Sequence, residues 1–427
     1  MANSITSLWS QTASAPIALP SLSQSVTADI AIIGAGYTGL STALHLAEKG
    51  VSVCVLEAQH AGWGASGRNG GQVNPTLKYD PQQLISLFGT EKGEQLIETL
   101  TASGDLVFSL INKNQIPCDP VRNGWMQLSY AEKGVTALHQ RARQWAERGV
   151  DVSLLTAESS QARTGTPMFA GGWLDKRAGS LQPLSYVRGL VNAALKAGVS
   201  LYEHTRVTGL QKEAHQWLLS TSTGATVRAD KVLVATNGYS DQLWPGMAQS
   251  ILAANSFIIA TEPLPPSLAE TILPGKETVS TAQRLLLYFR KDAEGRLVIG
   301  GRGTFNDPQR PEDFAHLEKS LALLYPQLKG IGLHYRWCGK VAITRDFLPH
   351  IHEPAPGITL SLGCNGRGIA LCTSLGKHLA ERLYDPTSSF PYPVTELKKI
   401  PGHGLQRFYI NAGVAWYSLL DRLNFSH

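Results

Sequence analysis

The sequence predicts an α/β protein, α+β overall: a Rossmann-like nucleotide-binding domain interrupted by a discontinuous, β-sheet-rich second domain. Three observations carry this. A full strand–turn–helix–strand unit occupies residues 29–58. Far down the chain, KVLVATNG (231–238) and GITLSLGCNGRGIALCTSLGKHLAERLY (357–384) again run from a buried strand into a glycine turn. Between them, residues 246–334 carry the strand candidates SFIIATEPL, RLLLYFR and RLVIGGRG. The expected boundaries are an N-terminal arm (1–25), a nucleotide-binding domain (26–85, 165–245 and 335–390), a second domain (86–164 and 246–334) and a C-terminal helical tail (391–427).

Taken in order, residues 1–25 are serine-rich and broken by Pro16 and Pro20, which predicts an irregular arm. ADIAIIGAG starts a strand near Asp29; the helix after it presents Leu40, Ala43, Leu44 and Ala47 on one face and stops at Gly50. VSVCVLEA (51–58) completes the β–α–β unit. Residues 81–150 alternate amphipathic helices (QQLISLFG, GVTALHQRARQWAERG) with turns around Pro117 and Pro120. PLSYVRGLVNAALKAGV (183–199) is a helix, HQWLLSTST and ATVRAD form a hairpin about Gly224, and PEDFAHLEKSLALLYPQL is helical.

At 427 residues, 43% hydrophobic and 17% charged, the chain has room for two domain cores. A net charge of +5 with no dense lysine or arginine run argues against a nucleic-acid partner. The five cysteines (Cys54, Cys118, Cys338, Cys364, Cys372) lack metal-type spacing, so no metal site is expected, and they fit a reducing compartment. Residues 1–25 hold no lysine or arginine and no long apolar run, and no stretch is long and apolar enough to span a bilayer. The expectation is a soluble, cytoplasmic protein; no pattern specifies an oligomeric state.

The first loop reads Gly34-Ala35-Gly36-Tyr37-Thr38-Gly39. Gly34 permits a tight turn, Gly36 lets backbone approach a pyrophosphate, and Gly39 lets helix and strand pack closely. Glu57 ends the second strand eighteen residues after Gly39, where a carboxylate would accept hydrogen bonds from a ribose diol. An acid there favours NAD or FAD over NADP. A second glycine-dense stretch, GWGASGRNGGQV (62–73), follows at once. A nicotinamide cofactor seldom needs it; a flavin, whose ring is clasped by backbone on more than one side, does. His45 lies mid-helix and is not a catalytic candidate, and Trp63 reads as packing.

The set GAGYTGL, LEA, GWGASGRNGGQ, VLVATNG and GCNGRGIALCTSLGK resembles the D-amino-acid oxidase (DAO) superfamily of FAD amine oxidases, with a glycine/sarcosine oxidase-like architecture. GASGRNGGQ, LYPQLKGIGLHYRWCGK (324–340) and AWYSLLDRL (415–423) are similar to the γ-glutamylputrescine oxidase subgroup. The resemblance implies FAD held by Gly34, Gly36, Tyr37, Thr38, Gly39, Glu57 and Ala58. It implies that Ser66, Gly67, Arg68, Asn69, Gly70, Gly71 and Gln72 follow the pyrophosphate–ribityl–ring path, the last three nearest the ring. Val207 takes the adenine position, and Ala235, Thr236, Asn237 and Gly238 close over the nucleotide. Gly363, Asn365, Gly366, Arg367, Gly368 and Ile369 open the last helix towards the flavin's N1–C2=O edge.

Departures from the family pattern carry information. In the run Trp337-Cys338-Gly339-Lys340-Val341-Ala342, with Asp346 and Pro349 in register, Val341 stands where amino-acid oxidases carry a carboxylate-binding arginine. This favours an amine over a free α-amino acid. Register puts Gly339, not Cys338, where sarcosine oxidases attach flavin, so non-covalent FAD is expected. Val298 stands where those enzymes use a lysine towards oxygen. No dedicated base is implied; Gln72, Tyr288, Arg302 and Lys340 are candidates for contact with the reacting groups. Arg290 and Arg302 read as structural or surface residues, with either a candidate for a γ-glutamyl carboxylate. The expected activity is oxidation of a primary or secondary amine, γ-glutamylputrescine or a polyamine derivative, to an imine and then an aldehyde, with O₂ reduced to H₂O₂. The alternatives are a dehydrogenase passing electrons to a quinone or carrier, and a non-catalytic flavin- or NAD-binding module.

Overall fold

The structure, a computed structural model, describes residues 6–283 and 286–422. The first two residues of the strand candidate RLLLYFR and the last of AWYSLLDRL lie outside them.

The arm is not irregular throughout. Ser7 Oγ accepts the Trp9 N–H (3.2 Å) and starts a short helix, α1 (Leu8–Thr12), whose Leu8 and Trp9 are fully buried. Five residues are too few to show a helical period; burial, not propensity, forms this turn. Strand β1 (Val26–Ile33), helix α2 (Tyr37–Ala47) and strand β2 (Val53–Leu56) form the β–α–β unit, with Ile30 opposite Val53 in parallel register. Helix α3 (Pro183–Lys196) begins at Gln182, whose side chain accepts the Ser185 N–H. Strand β3 (Thr226–Val234) runs parallel to β1. Then follow β4 (Leu252–Pro263), β5 (Leu287–Lys291), β6 (Arg296–Arg302), β7 (Leu333–Ile343), β8 (Ile358–Leu362) and helix α4 (Gly368–Tyr384).

The first sheet has the order His350–Ala355, β8, β3, β1, β2, Ser200–Tyr202, parallel except for the His350–Ala355 edge. The hairpin strands Val207–Glu213 and Gln216–Thr221 extend from β3. Helices α2 and α4 lie together on one face: the Ser41 hydroxyl donates to Thr373 O (2.7 Å), and a Cβ on Gly376 would sit 2.7 Å from Thr38 O. A glycine is needed there for the approach, which brings both helix N-termini to the same edge of the sheet.

The second sheet is mixed, ordered β7, β4, β6, β5, Thr278–Thr281, Trp125–Ser129, Gly171–Asp175, Val152–Thr156. Period-two alternation sorts its residues. Phe257, Ile259, Leu297 and Ile299 pack under the helix Ala315–Leu324, while Ile258, Ala260, Val298 and Trp337 pack with Leu8, Trp9 and Leu184. Each of the larger aliphatic and phenylalanine side chains contributes about 1.5–3 kcal/mol, so both faces hold the sheet in place. Strand pairing divides the chain differently from the sequence boundaries. Gly171–Asp175 and β7 join the second sheet, while the long helix Thr90–Asn114 buries Leu96, Ile97 and Leu100 in the core of α2 and α4.

Candidate active site

The first loop is shaped by what its glycines exclude. Gly34 has φ +106°, and a Cβ there would meet Ala235 O at 3.1 Å; on Gly39 it would lie 2.0 Å from Gly34 O. Gly36 contributes no cap to α2, and Ser66 of the second glycine stretch accepts the Tyr37 N–H (3.1 Å) and, through its carbonyl, the Tyr37 hydroxyl (2.7 Å). The two glycine stretches are therefore one structure. Glu57 Oε2 accepts the Ala35 N–H (2.9 Å) and Oε1 the Gln59 N–H (3.0 Å), fixing the carboxylate beside the loop with lone pairs left over. Burial pushes this carboxyl up and the two amides pull it back. Ala58 continues from Glu57; Val207 is buried where its strand leaves Thr205, whose N–H donates to Glu57 O.

The far loops meet the same edge. Ala235 N–H donates to Ile33 O, and Asn237, at φ +46°, accepts the Gly363 N–H on Oδ1 (3.0 Å). Gly238 touches β7, where its Cβ would lie 3.0 Å from Lys340 O, and Thr236 bonds Ser240. Asn365 accepts the Thr344 N–H (3.0 Å) and donates to Gly363 O (2.8 Å). Around Gly366 and Gly368 there is open space, the nearest atom to a Gly366 Cβ being Val341 Cγ1 at 4.0 Å, and Ile369 anchors the helix below. Arg367 donates to Thr76 Oγ1 (2.9 Å) and stacks on Trp125; burial lowers its pKa to about 10, so it stays charged at neutral pH.

The second stretch is threaded between neighbours. A Cβ on Gly67 would lie 2.3 Å from Gly62 O; on Gly70, 2.5 Å from Tyr288 Cε2; on Gly71 (φ +72°), 2.2 Å from Arg290 Nη2. Asn69 ties the stretch together, donating to Ser66 O (2.9 Å) and accepting the Gly71 N–H (2.9 Å). Arg68 donates to Trp63 O (2.7 Å) and lies over that indole. Two tryptophans bond the stretch from outside: Trp9 donates to Asn69 O (2.7 Å) and Trp337 to Arg68 O (2.9 Å). Trp9, Trp125 and Thr76 belong to no motif, so nothing local in the sequence marks them as parts of the site.

Four candidate side chains are placed as follows, and Arg290 is the structural rather than the surface residue. Arg290 is neither surface nor free for a carboxylate: Nε donates to Gly70 O (2.7 Å), Nη2 to Leu181 O (2.8 Å) and Nη1 to Lys291 O (3.1 Å). Burial lowers its pKa to about 10. Gln72 turns its amide into the second sheet, donating to Val279 O (3.1 Å), and ties the glycine stretch to it. Lys340 shares the side of β7 that carries Cys338 and Arg336, opposite Gly339 and Val341, and its Nζ lies over Tyr239, whose ring packs edge-on against Trp63. Tyr288 lies over Gly70 and donates to or accepts from Ser256 Oγ (2.8 Å), with its phenol pushed up to about 12 by burial.

On the opposite side of β7 Trp337, Gly339 and Val341 face the stretch; a Gly339 Cβ would lie 3.0 Å from Arg68 Cβ. Val298 is 1% exposed among Ile258, Ala260 and Trp337. Burial pushes the Cys338 thiol up to about 11. Arg302 is half-buried at the end of β6, and among the described residues its guanidinium has no hydrogen-bond or ion-pair partner.

Two glycine stretches at the carboxyl edge of a parallel sheet, roofed by a second sheet, define a two-domain dinucleotide-dependent oxidoreductase. Residues 29–382 match the family described as FAD dependent oxidoreductase (DAO), and the chain belongs to it. It is 32% identical over 415 residues to gamma-glutamylputrescine oxidoreductase of Escherichia coli (strain K12), covering 94% of this chain and 95% of that one. It is 31% identical to the probable oxidoreductase OrdL of Haemophilus influenzae, covering 94% of each. In fold it is similar to glycine oxidase from Geobacillus kaustophilus, with TM-score 0.73 and 21% identity over 88% of this chain and 100% of that one. The cofactor is FAD, and the cradle left by Gly34, Gly36 and Gly39 with the oriented Glu57 carboxylate fits it. No described helix is long and apolar enough to cross a membrane.

Proposed function

We propose that this FAD-dependent enzyme oxidises the C–N bond of a primary or secondary amine that is not a free α-amino acid. The observation that carries the reading is the character of the roof over Gly70 and Gly71. Ser256, Tyr288, Gly300, Arg302, Gly339 and Val341 supply one cation and no carboxylate or imidazole. Without a base, the amine must react as the neutral species, and a positively charged, partly desolvated roof favours that form. With Val341 beside the ring end, no guanidinium clamps a carboxylate on the reacting carbon. When bound, FAD accepts two electrons and a proton from the carbon bearing nitrogen. The resulting imine takes up water and releases an aldehyde and the free amine or ammonia.

The similarity to gamma-glutamylputrescine oxidoreductase supports an acylated diamine as substrate. Cys338 faces away from the glycine stretch, which supports non-covalent FAD. Electrons leave to O₂, giving H₂O₂. One observation favours a second acceptor: the buried Val298 puts an apolar side chain where an oxygen-activating lysine would stand, which suits transfer to a quinone or carrier protein. Anaerobic addition of an amine panel tests the reading. Acylated diamines should bleach the flavin and free α-amino acids should not; bleaching confined to α-amino acids refutes it. Peroxide on re-aeration separates oxidase from dehydrogenase.

A further inference from the structure

The N-terminal arm is pinned at two points and free between them. At the first, Ser185 Oγ accepts the Ser14 N–H (2.9 Å) and the Arg188 guanidinium donates to Ser14 O, both from α3. At the second, Pro20 O accepts the Glu203 N–H (3.0 Å) and Thr205 Oγ1 accepts the Leu22 N–H (3.0 Å). Residues 15–19 form no hydrogen bond among the described residues, and Pro16 has no N–H to offer. They make a strap.

Beneath the strap lies a cavity of about 240 Å³, walled by its Ile17 and Leu19 and by Val191 of α3, with the exposed His60 at the mouth. Arg188 and Glu203 line the same space. They carry opposite charges, yet among the described residues no ion pair joins them. Each is held by main chain on one side only. Glu203 Oε1 accepts the Ala61 N–H (2.7 Å) and Oε2 has no partner; Arg188 places one nitrogen on Ser14 O. A cation and an anion that share a partly apolar space, each kept from the other by the backbone it holds, both lack part of their solvation. None of the residues implied in FAD binding lines the cavity. Its volume is below the about 300–1,000 Å³ of sites for drug-sized ligands, so its occupant is smaller.

We infer that this cavity binds a small zwitterion with an aliphatic body, its ammonium on Glu203 and its carboxylate on Arg188. An α-amino acid such as leucine and an unbranched ω-amino acid share that chemistry. The site goes beyond the amine-oxidising reading and does not rest on it. Its consequence is for cofactor retention. Glu203 holds Ala61, which leads from Glu57 into the second glycine stretch at Gly62. Arg188 holds the arm just after α1, whose Trp9 bonds Asn69 O. A ligand that bridges the two charges tightens both supports of the glycine stretch, and by linkage bound FAD tightens the ligand.

The test is equilibrium dialysis of labelled L-leucine against holoenzyme, with unlabelled competitors. 4-Methylpentanoate lacks the ammonium and leucinamide the carboxylate; each should bind about tenfold to a hundredfold more weakly than leucine, the range for losing a charge-assisted hydrogen bond. Whichever of leucine and 5-aminopentanoate binds more tightly names the source, and either upholds the site. Glu203→Gln keeps an acceptor for the Ala61 N–H but removes the charge. It should weaken leucine about tenfold and leave 4-methylpentanoate unchanged. Arg188→Met should weaken leucine and leave leucinamide unchanged, while Arg188→Lys should keep part of the affinity. Ile17→Trp fills the cavity from the strap and should abolish binding without touching either charge. Flavin content and melting temperature confirm that each variant folds.

Bound leucine should also slow the release of FAD from diluted holoenzyme, followed by flavin fluorescence, about fivefold, the low end of coupling between two sites. Glu203→Gln should remove that effect. No saturable binding of leucine or 5-aminopentanoate by the wild-type protein overturns the site, and so does equal leucine affinity in wild type, Glu203→Gln and Arg188→Met. Binding that is lost in both variants while FAD release stays unchanged upholds the site and overturns its link to the cofactor. The amine reading stands or falls on flavin bleaching by amines, which dialysis does not measure.

Discussion

Gly70→Ala adds one methyl group to the middle of the second glycine stretch. The new Cβ would lie 2.5 Å from Tyr288 Cε2, closer than carbon atoms approach. Tyr288 cannot swing aside: a Cβ on Gly300 would lie 2.2 Å from its Cζ on the other flank, and its hydroxyl is bonded to Ser256 Oγ at 2.8 Å. The strain must therefore fall on the glycine stretch, whose Asn69 and Gly70 carbonyls are held by Trp9 and Arg290. Overpacking of one methyl into a fixed site costs about 1–3 kcal/mol. If the stretch relaxes only when FAD is absent, that cost appears in cofactor affinity, about a fivefold to hundredfold rise in the FAD dissociation constant. Titrating apoprotein with FAD and following flavin fluorescence measures it. Tyr288→Leu on the Gly70→Ala background should recover part of the affinity, because it removes the ring that the methyl strikes. Unchanged FAD affinity and melting temperature in Gly70→Ala would refute the pinned ring and with it the reason this position is glycine.

Other perturbations separate the remaining parts of the site. Trp9→Phe keeps an aromatic ring, smaller than the indole, but removes the N–H from Asn69 O; leaving that carbonyl unpaired should cost about 1–3 kcal/mol, read in thermal melts and in faster FAD release. Glu57, with its folded pKa raised by burial, favours the folded apoprotein in its protonated form. Its contribution is present below the unfolded carboxylate pKa and lost as pH rises through the higher folded one; Glu57→Gln should remove that slope from apoprotein stability measured against pH, and weaken FAD binding. Cys338→Ala should leave the protein yellow, and acid precipitation should release FAD from both forms; flavin retained by the wild-type pellet but not the variant would contradict non-covalent binding.

The β–α–β unit was legible because its signals are local: apolar strands, a helical face at Leu40, Ala43 and Leu44, and an acid at the end of β2 all lie within about thirty residues of one another. The second glycine stretch was legible as dense glycine, but not the reason for each glycine, since its neighbours Tyr288, Arg290 and Trp337 lie more than two hundred residues away. Lys340 shows a different limit. Along β7 a shift of one residue exchanges the two faces, and parity puts Gly339 and Val341 on one face, towards Arg68, and Cys338 and Lys340 on the other. Only pairing with β4, Ser256 opposite Gly339, fixes that parity. Helix α1 left no pattern because its stability comes from Trp337 and Arg290, which flank Trp9.

Arg290 shows why burial of a cation is not by itself a sign of a substrate site. Desolvation lowers the pKa of both Arg290 and Arg302, and on that measure alone the more buried Arg290 would be chosen. Hydrogen-bond accounting reverses the choice. A guanidinium offers five donors in a fixed fork; Arg290 places three of its nitrogens on carbonyls of Gly70, Leu181 and Lys291, and so fixes backbone. Arg302 has none of these, though its strand is as firmly held. A charge that the fold holds rigidly yet leaves without an acceptor is open to a partner from outside, whereas one spent on backbone carbonyls is not.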